Sequence, residues 1–117
     1  MPLEDFVISV VAAAKPEVSV VQVSGYLDAH TFEQLEETIE GLFREAKYKI
    51  VVDLSKVEYI SSAGAGVFIG ALSEAQEHNG NIVLMSPTTN VREVFDLLGL
   101  TQIFRVVDDQ QAAMHVF

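Results

Sequence analysis

The chain has 117 residues, half of them hydrophobic, which is enough for one domain with one core and too apolar for disorder. It contains no cysteine, which excludes disulfides and thiolate metal sites and fits a cytoplasmic protein. A net charge of −10 argues against nucleic acid and anionic membranes as partners, and no apolar run reaches the roughly 18 residues that a membrane span needs.

The opening Met1-Pro-Leu-Glu-Asp5 lacks the basic start and apolar core of a signal peptide. Residues 6–13 and 18–24 are β-branched runs separated by Lys15-Pro16-Glu17. Proline fixes φ and donates no ladder hydrogen bond, so the tripeptide predicts a turn between two antiparallel strands. Val18, Val20, Val21 and Val23 break strict alternation, which implies partial cover on both faces. Gly25-Tyr-Leu-Asp28 ends the second strand. In the helix that follows, Thr31 and Gln34 resemble a capping box, with Asp28 as the alternative cap. Phe32, Leu35, Ile39, Leu42, Phe43 and Ala46 form its apolar stripe, and Glu33, Glu36, Glu37 and Glu40 crowd the solvated side.

Residues 48–54 read as the central buried strand. A polar segment, 55–58, separates it from the small-residue turn Ser61-Ser-Ala-Gly-Ala-Gly66, where a second helix begins. Its apolar residues recur at helical spacing over 67–75, and Asn79-Gly80 marks its end. Residues 81–86 make another buried strand, stopped by Pro87. Thr88, Thr89 and Asn90 offer caps to a short helix carrying Val91, Val94, Phe95 and Leu98, and Leu98-Gly99-Leu100 has the form of a Schellman end. Residues 103–107 are the last strand, and Asp108 caps a final helix through Val116. The order β-β-α-β-α-β-α-β-α predicts a single α/β domain over 1–117. Its mixed sheet has about five strands, the first two antiparallel and the later ones mostly parallel, covered by about four helices. In such sheets function gathers where strands end and helices begin, which places Asp28, Ser62 and Ser86 at a common edge.

The serine turn carries the most chemistry. A hydroxyl at a helix start accepts a hydrogen bond from an unpaired N–H, and the positive end of the helix dipole suits an added negative charge. If capping were its whole role, Ser62→Ala would cost about 1 kcal/mol. Enzyme signatures are weak. Gly64, Gly66 and Gly70 have the wrong spacing for a dinucleotide fingerprint and read as close helix–sheet packing; no P-loop is present. His30, His78 and His115 have no nucleophile elbow to serve, although His30 approaches the serine turn if both lie at one sheet edge. No histidine pair has metal-ligand spacing, and nothing in the spacing of Asp28 and Asp53 calls for a hydrolytic carboxylate pair.

Several motifs acquire meaning together. Gly25-Tyr-Leu-Asp28, Val52-Asp-Leu-Ser55, Tyr59-Ile-Ser-Ser-Ala-Gly-Ala-Gly-Val67, Gly80-Asn-Ile-Val-Leu84, Ser86-Pro87 and Phe95-Asp-Leu-Leu-Gly-Leu100 run in order over nearly the whole chain. They resemble the STAS domain of bacterial anti-sigma-factor antagonists. The family pattern at the serine turn is D-S-[ST]-G-L-G, in which the serine after the aspartate takes a phosphate from the anti-sigma kinase. Aligned on Gly64 and Gly66, that serine is Ser62, with Ser61 the second candidate. Here Ser61 replaces the aspartate, Ala63 the second hydroxyl and Ala65 the leucine.

The resemblance implies a regulator without catalytic activity, cofactor or metal. Its unphosphorylated form binds an anti-sigma factor of histidine-kinase-like ATPase fold and frees the sigma factor; phosphorylation switches binding off, and a serine phosphatase resets it. The docking surface is expected to take in Asp28, His30, Ser61, Ala63, Gly64, Ala65, Ser86 and Thr88. The departures at Ser61 and Ala63 leave a second reading, an adaptor that binds constitutively in a signalling, secretion or transport complex.

Overall fold

Runs of valine, isoleucine and leucine at 18–23, 50–54 and 82–84 build strands covered on both faces, and the helices between them supply the cover. In the computed structural model, which describes residues 6–117, the elements are β1 (Val7–Ala12), β2 (Val18–Leu27), α1 (Phe32–Arg44), β3 (Lys49–Ile60), α2 (Ser62–Glu77), β4 (Asn81–Met85), α3 (Thr89–Leu97), a 3-10 turn (Leu100–Gln102), β5 (Arg105–Val107) and α4 (Gln110–Val116). The reading of Met1–Asp5 lies outside the described residues. The strands lie in the order β1-β2-β3-β4-β5, with β1–β2 antiparallel and every later pair parallel, as the element order predicts.

The inner face of the sheet, with Val21, Val23, Leu27, Ile50, Val52, Leu54, Ile82 and Leu84, packs against apolar residues of α1, α2 and α3. On the outer face, Ala113 and Met114 of α4 cover Val18, Val20, Val51, Val83, Met85 and Val107. The outer face continues past α4 through Gln22 and Asp53 to the exposed Tyr26 and Tyr59.

The two central strands are longer than the sequence suggests. β2 runs on through Gly25-Tyr-Leu27, and β3 continues through the polar 55–58 segment to Ile60. Two register shifts between them, at Gln22/Ser24 and Gly25/Tyr26, give β3 extra residues, with Gly25 at φ 100°. Such bulges break period-2 alternation, so Val57 and Ile60 are buried three residues apart.

Local caps also differ from expectation. Thr31 makes no side-chain cap bond: its hydroxyl accepts from the Asp28 N–H (2.9 Å) and donates to the Tyr26 carbonyl (2.7 Å). Asp109, not Asp108, caps α4, accepting from the Ala112 N–H at 2.8 Å. β5 is three residues long because the 3-10 turn takes up the chain before it. Helices α1 and α2 end in the same Schellman geometry: Lys47 N–H bonds to Leu42 O at 2.9 Å, and Gly80 N–H to Ala75 O at 2.8 Å. The left-handed residue is Asn79 in α2 but Ala46 in α1 (φ 61°). Ala46 is therefore exposed beyond the helix and does not join the apolar stripe. A left-handed alanine carries a Cβ penalty that glycine lacks, so Ala46→Gly should stabilise the fold by about 1 kcal/mol. A thermal melt should show a rise of about 4 °C.

Candidate functional site

The serine turn is a continuation of the β2–β3 ladder. Beyond Ile60, the Ser61 N–H donates to the Leu27 carbonyl at 2.9 Å, holding Ser61 extended (φ −97°, ψ 167°). Its hydroxyl then accepts from the Gly64 N–H at 3.4 Å, and its carbonyl from the Ala65 N–H at 3.0 Å. Ser61 is the N-cap of α2; Ser62 is its first helical residue, and its side chain is exposed. The capping cost expected for Ser62→Ala therefore belongs to Ser61→Ala.

Gly64 and Ala65 are buried beneath this turn. A Cβ on Gly64 would lie 2.9 Å from both the Leu27 carbonyl oxygen and Cγ, so close packing of helix on strand requires glycine there. Gly66 and Gly70 meet nothing within 4 Å of such a Cβ, contrary to the packing role expected of all three glycines. The exposed part of the turn is Ser62, Ala63 and Gly66; Gly64 and Ala65 shape it from below and present no side-chain surface to a partner.

The same seam brings in the end of β2. Asp28 follows Leu27, and its carboxylate accepts from the His30 N–H at 2.9 Å; His30 is exposed. Asp28, His30, Ser61, Ser62 and Ala63 thus share one corner of the sheet. Tyr26 and Tyr59, with ring centroids 5.8 Å apart and both exposed, pair across the ladder just before it. Sequence reasoning passed over them, although each lies inside a motif quoted for the resemblance.

Ser86 does not join this corner. β4 stops at Met85, level with Asp53 and its partner Gln22, which leaves five residues of β2, about 16 Å, between that level and the Leu27–Ile60 pair. The Ser86 hydroxyl donates to the Asp108 carbonyl at 2.7 Å, tying it to the end of β5. Thr88 comes nearer: its hydroxyl accepts from the Val91 N–H (3.3 Å) to cap α3 and lies 3.4 Å from the Val57 carbonyl. Asp28 and Asp53 are separated by six strand residues, about 20 Å, too far for a hydrolytic pair. His78 caps the C-terminal end of α2, its ring stacked 4.0 Å from that of Tyr48. His30 alone of the three histidines lies beside the serine turn.

This corner can accept negative charge. The N–H groups of Ser62 and Ala63 belong to the first turn of α2, where no acidic side chain competes for the helix dipole. Serine and aspartate are both strong N-caps, so Ser61 preserves the cap that the family's aspartate would provide. What the replacement removes is a charge beside the Ser62 hydroxyl.

The family model described as "STAS domain" matches residues 9–113. The chain belongs to the STAS domain family. An anti-sigma-B factor antagonist of Staphylococcus epidermidis is 30% identical over 86 residues, covering 74% of this chain and 80% of that one. The anti-sigma factor antagonist SpoIIAA in its unphosphorylated form superposes with a TM-score of 0.77 at 25% identity, covering 96% of each chain. The Bacillus cell fate determinant SpoIIAA in its phosphorylated form gives 0.70 at 24% identity, covering 97% of this STAS domain and 100% of that chain.

Proposed function

We propose that this STAS domain is an anti-sigma-factor antagonist whose docking is controlled by phosphorylation of Ser62. The observation that carries the reading is the division of labour at the serine turn. Ser61 spends its hydroxyl on the cap of α2, whereas Ser62 exposes its own at the positive end of the same helix. The partner is an anti-sigma factor with serine-kinase activity and a histidine-kinase-like ATPase fold. It binds the corner formed by Asp28, His30, Ser62 and Ala63, with Thr88 at the margin.

The chain supplies an acceptor and no base. The kinase transfers the γ-phosphoryl group of ATP to the Ser62 Oγ, ADP leaves, and the hydroxyl proton passes to a base on the kinase. The phosphate adds about −1.5 to −2 charges, which the α2 N-terminus stabilises, so the fold tolerates it. A partner surface fitted to a neutral hydroxyl and an alanine must then desolvate a dianion, and it dissociates. A serine phosphatase returns the hydroxyl by hydrolysis, releasing inorganic phosphate.

Incubation with the cognate kinase and ATP should place one phosphate on the chain, and peptide mapping should assign it to Ser62. Phosphate on Ser61, or none, would overturn the assignment. Association that persists unchanged in ATP would instead support the constitutive adaptor.

A further inference from the structure

The two edges of the sheet are unlike. β5 is three residues long and carries an exposed Arg105, the kind of short, charged edge that discourages pairing with another chain. Among the described residues, β1 has none of these defences. Its six residues, Val-Ile-Ser-Val-Val-Ala, contain no charge and no proline, and they pair with β2 through six consecutive positions without a bulge. Val7, Val10 and Val11 are 54%, 45% and 38% exposed. On a chain of net charge −10, this is an uncharged strip along which a second copy can approach with least repulsion.

We propose that β1 is a self-association edge, on which two copies pair their β1 strands antiparallel about a twofold axis at Ser9. The occupant follows from self-complementarity. Residues opposite one another in an antiparallel pair share a face, so the two copies must pair odd positions with odd and even with even. Centring on Ser9 sets Ser9 against Ser9, Val7 against Val11, and Ile8 against Val10. Each exposed valine then meets an apolar neighbour across the axis, because Val-Ile-Ser-Val-Val reads the same by residue class in both directions. The two five-stranded sheets become one continuous sheet.

This inference is independent of the Ser62 reading. Ser9 lies beside Gln22, five residues along β2 from the Leu27–Ser61 seam, or about 16 Å. The Ser62→Asp chain should therefore associate like wild type, so failure of one proposal leaves the other standing.

Sedimentation velocity from about 10 µM to about 1 mM, the range expected of a small interface, should show monomer giving way to dimer. The dimer fraction should rise with added salt as the like charges are screened. Ser9→Lys and Ser9→Glu each set like charges opposite one another across the axis. Each variant alone should be monomeric with a wild-type melting profile, and an equimolar mixture should recover a heterodimer. Wild type that stays monomeric at the highest concentration overturns the proposal. So does a Ser9→Lys chain that dimerises as wild type does, or a mixture of the two folded variants that remains monomeric.

Discussion

Ser62→Asp should weaken binding of the anti-sigma partner on the order of a hundredfold while leaving the melting temperature within a few degrees of wild type. The two halves of this result have separate causes. A carboxylate at the first position of α2 meets the positive end of the helix dipole, a neutral to mildly favourable change of up to about 1 kcal/mol, and Ser61 still caps the helix. At the interface the same charge must be stripped of water against a surface that offers a hydroxyl-sized site. A penalty of about 3 kcal/mol corresponds to the hundredfold loss. Ser62→Ala should bind like wild type and accept no phosphate. Ser61→Ala should still be phosphorylated but lose about 1 kcal/mol of stability with its cap. Titration calorimetry with the partner, together with thermal melts of all three variants, separates switch from cap. Equal affinity of wild type and Ser62→Asp would contradict the charge switch.

The positions of these elements were legible because their signals are local. Proline in the first turn, Asn79-Gly80 after α2, Gly99 after α3, and runs rich in valine and isoleucine mark where strands and helices begin and end. What escaped depends on the partner strand. The polar Ser55, Lys56 and Glu58 are strand residues because their neighbours in β2 supply the ladder and their outer face lies beyond the reach of α4. Two bulges then shift the buried positions out of alternation, and no single-strand pattern reports a bulge in a pair. The extra length of β2 and β3 also decides what shares the functional corner. A sequence that shows each strand ending beside a loop residue places Asp28, Ser62 and Ser86 together. The structure brings in the first two and holds Ser86 at the shorter end of β4. Which serine caps α2 was likewise invisible, because two adjacent hydroxyls suit the position equally until Leu27 fixes the register through the Ser61 N–H.

Gly80→Ala should be more damaging than Gly64→Ala, lowering stability by about 3 kcal/mol and the melting temperature by about 12 °C. Gly80 closes the Schellman end of α2 and leads directly into β4, with its Cα pressed against the strand-entry residue Tyr48. A Cβ there would fall 2.0 Å from the Tyr48 carbonyl oxygen and 2.6 Å from both its carbonyl carbon and its Cβ. These are backbone and near-backbone atoms, so no rotamer change relieves the overlap. Tyr48 is itself held between Phe43 and His78, at ring separations of 5.2 and 4.0 Å, which limits its retreat. Gly64→Ala at the other end of α2 should be milder, about 1–2 kcal/mol, since its Cβ meets the Leu27 oxygen at 2.9 Å and part of the contact is a side-chain carbon that can shift. Its effect on partner binding should nevertheless exceed that of Gly80→Ala measured well below both melting transitions. Relief at Gly64 lifts the serine turn away from Leu27 and displaces the Ser62 hydroxyl, whereas relief at Gly80 moves the end of the helix remote from the partner. If the two variants bind alike in the folded state, the docking corner does not depend on the Leu27–Ser61 seam.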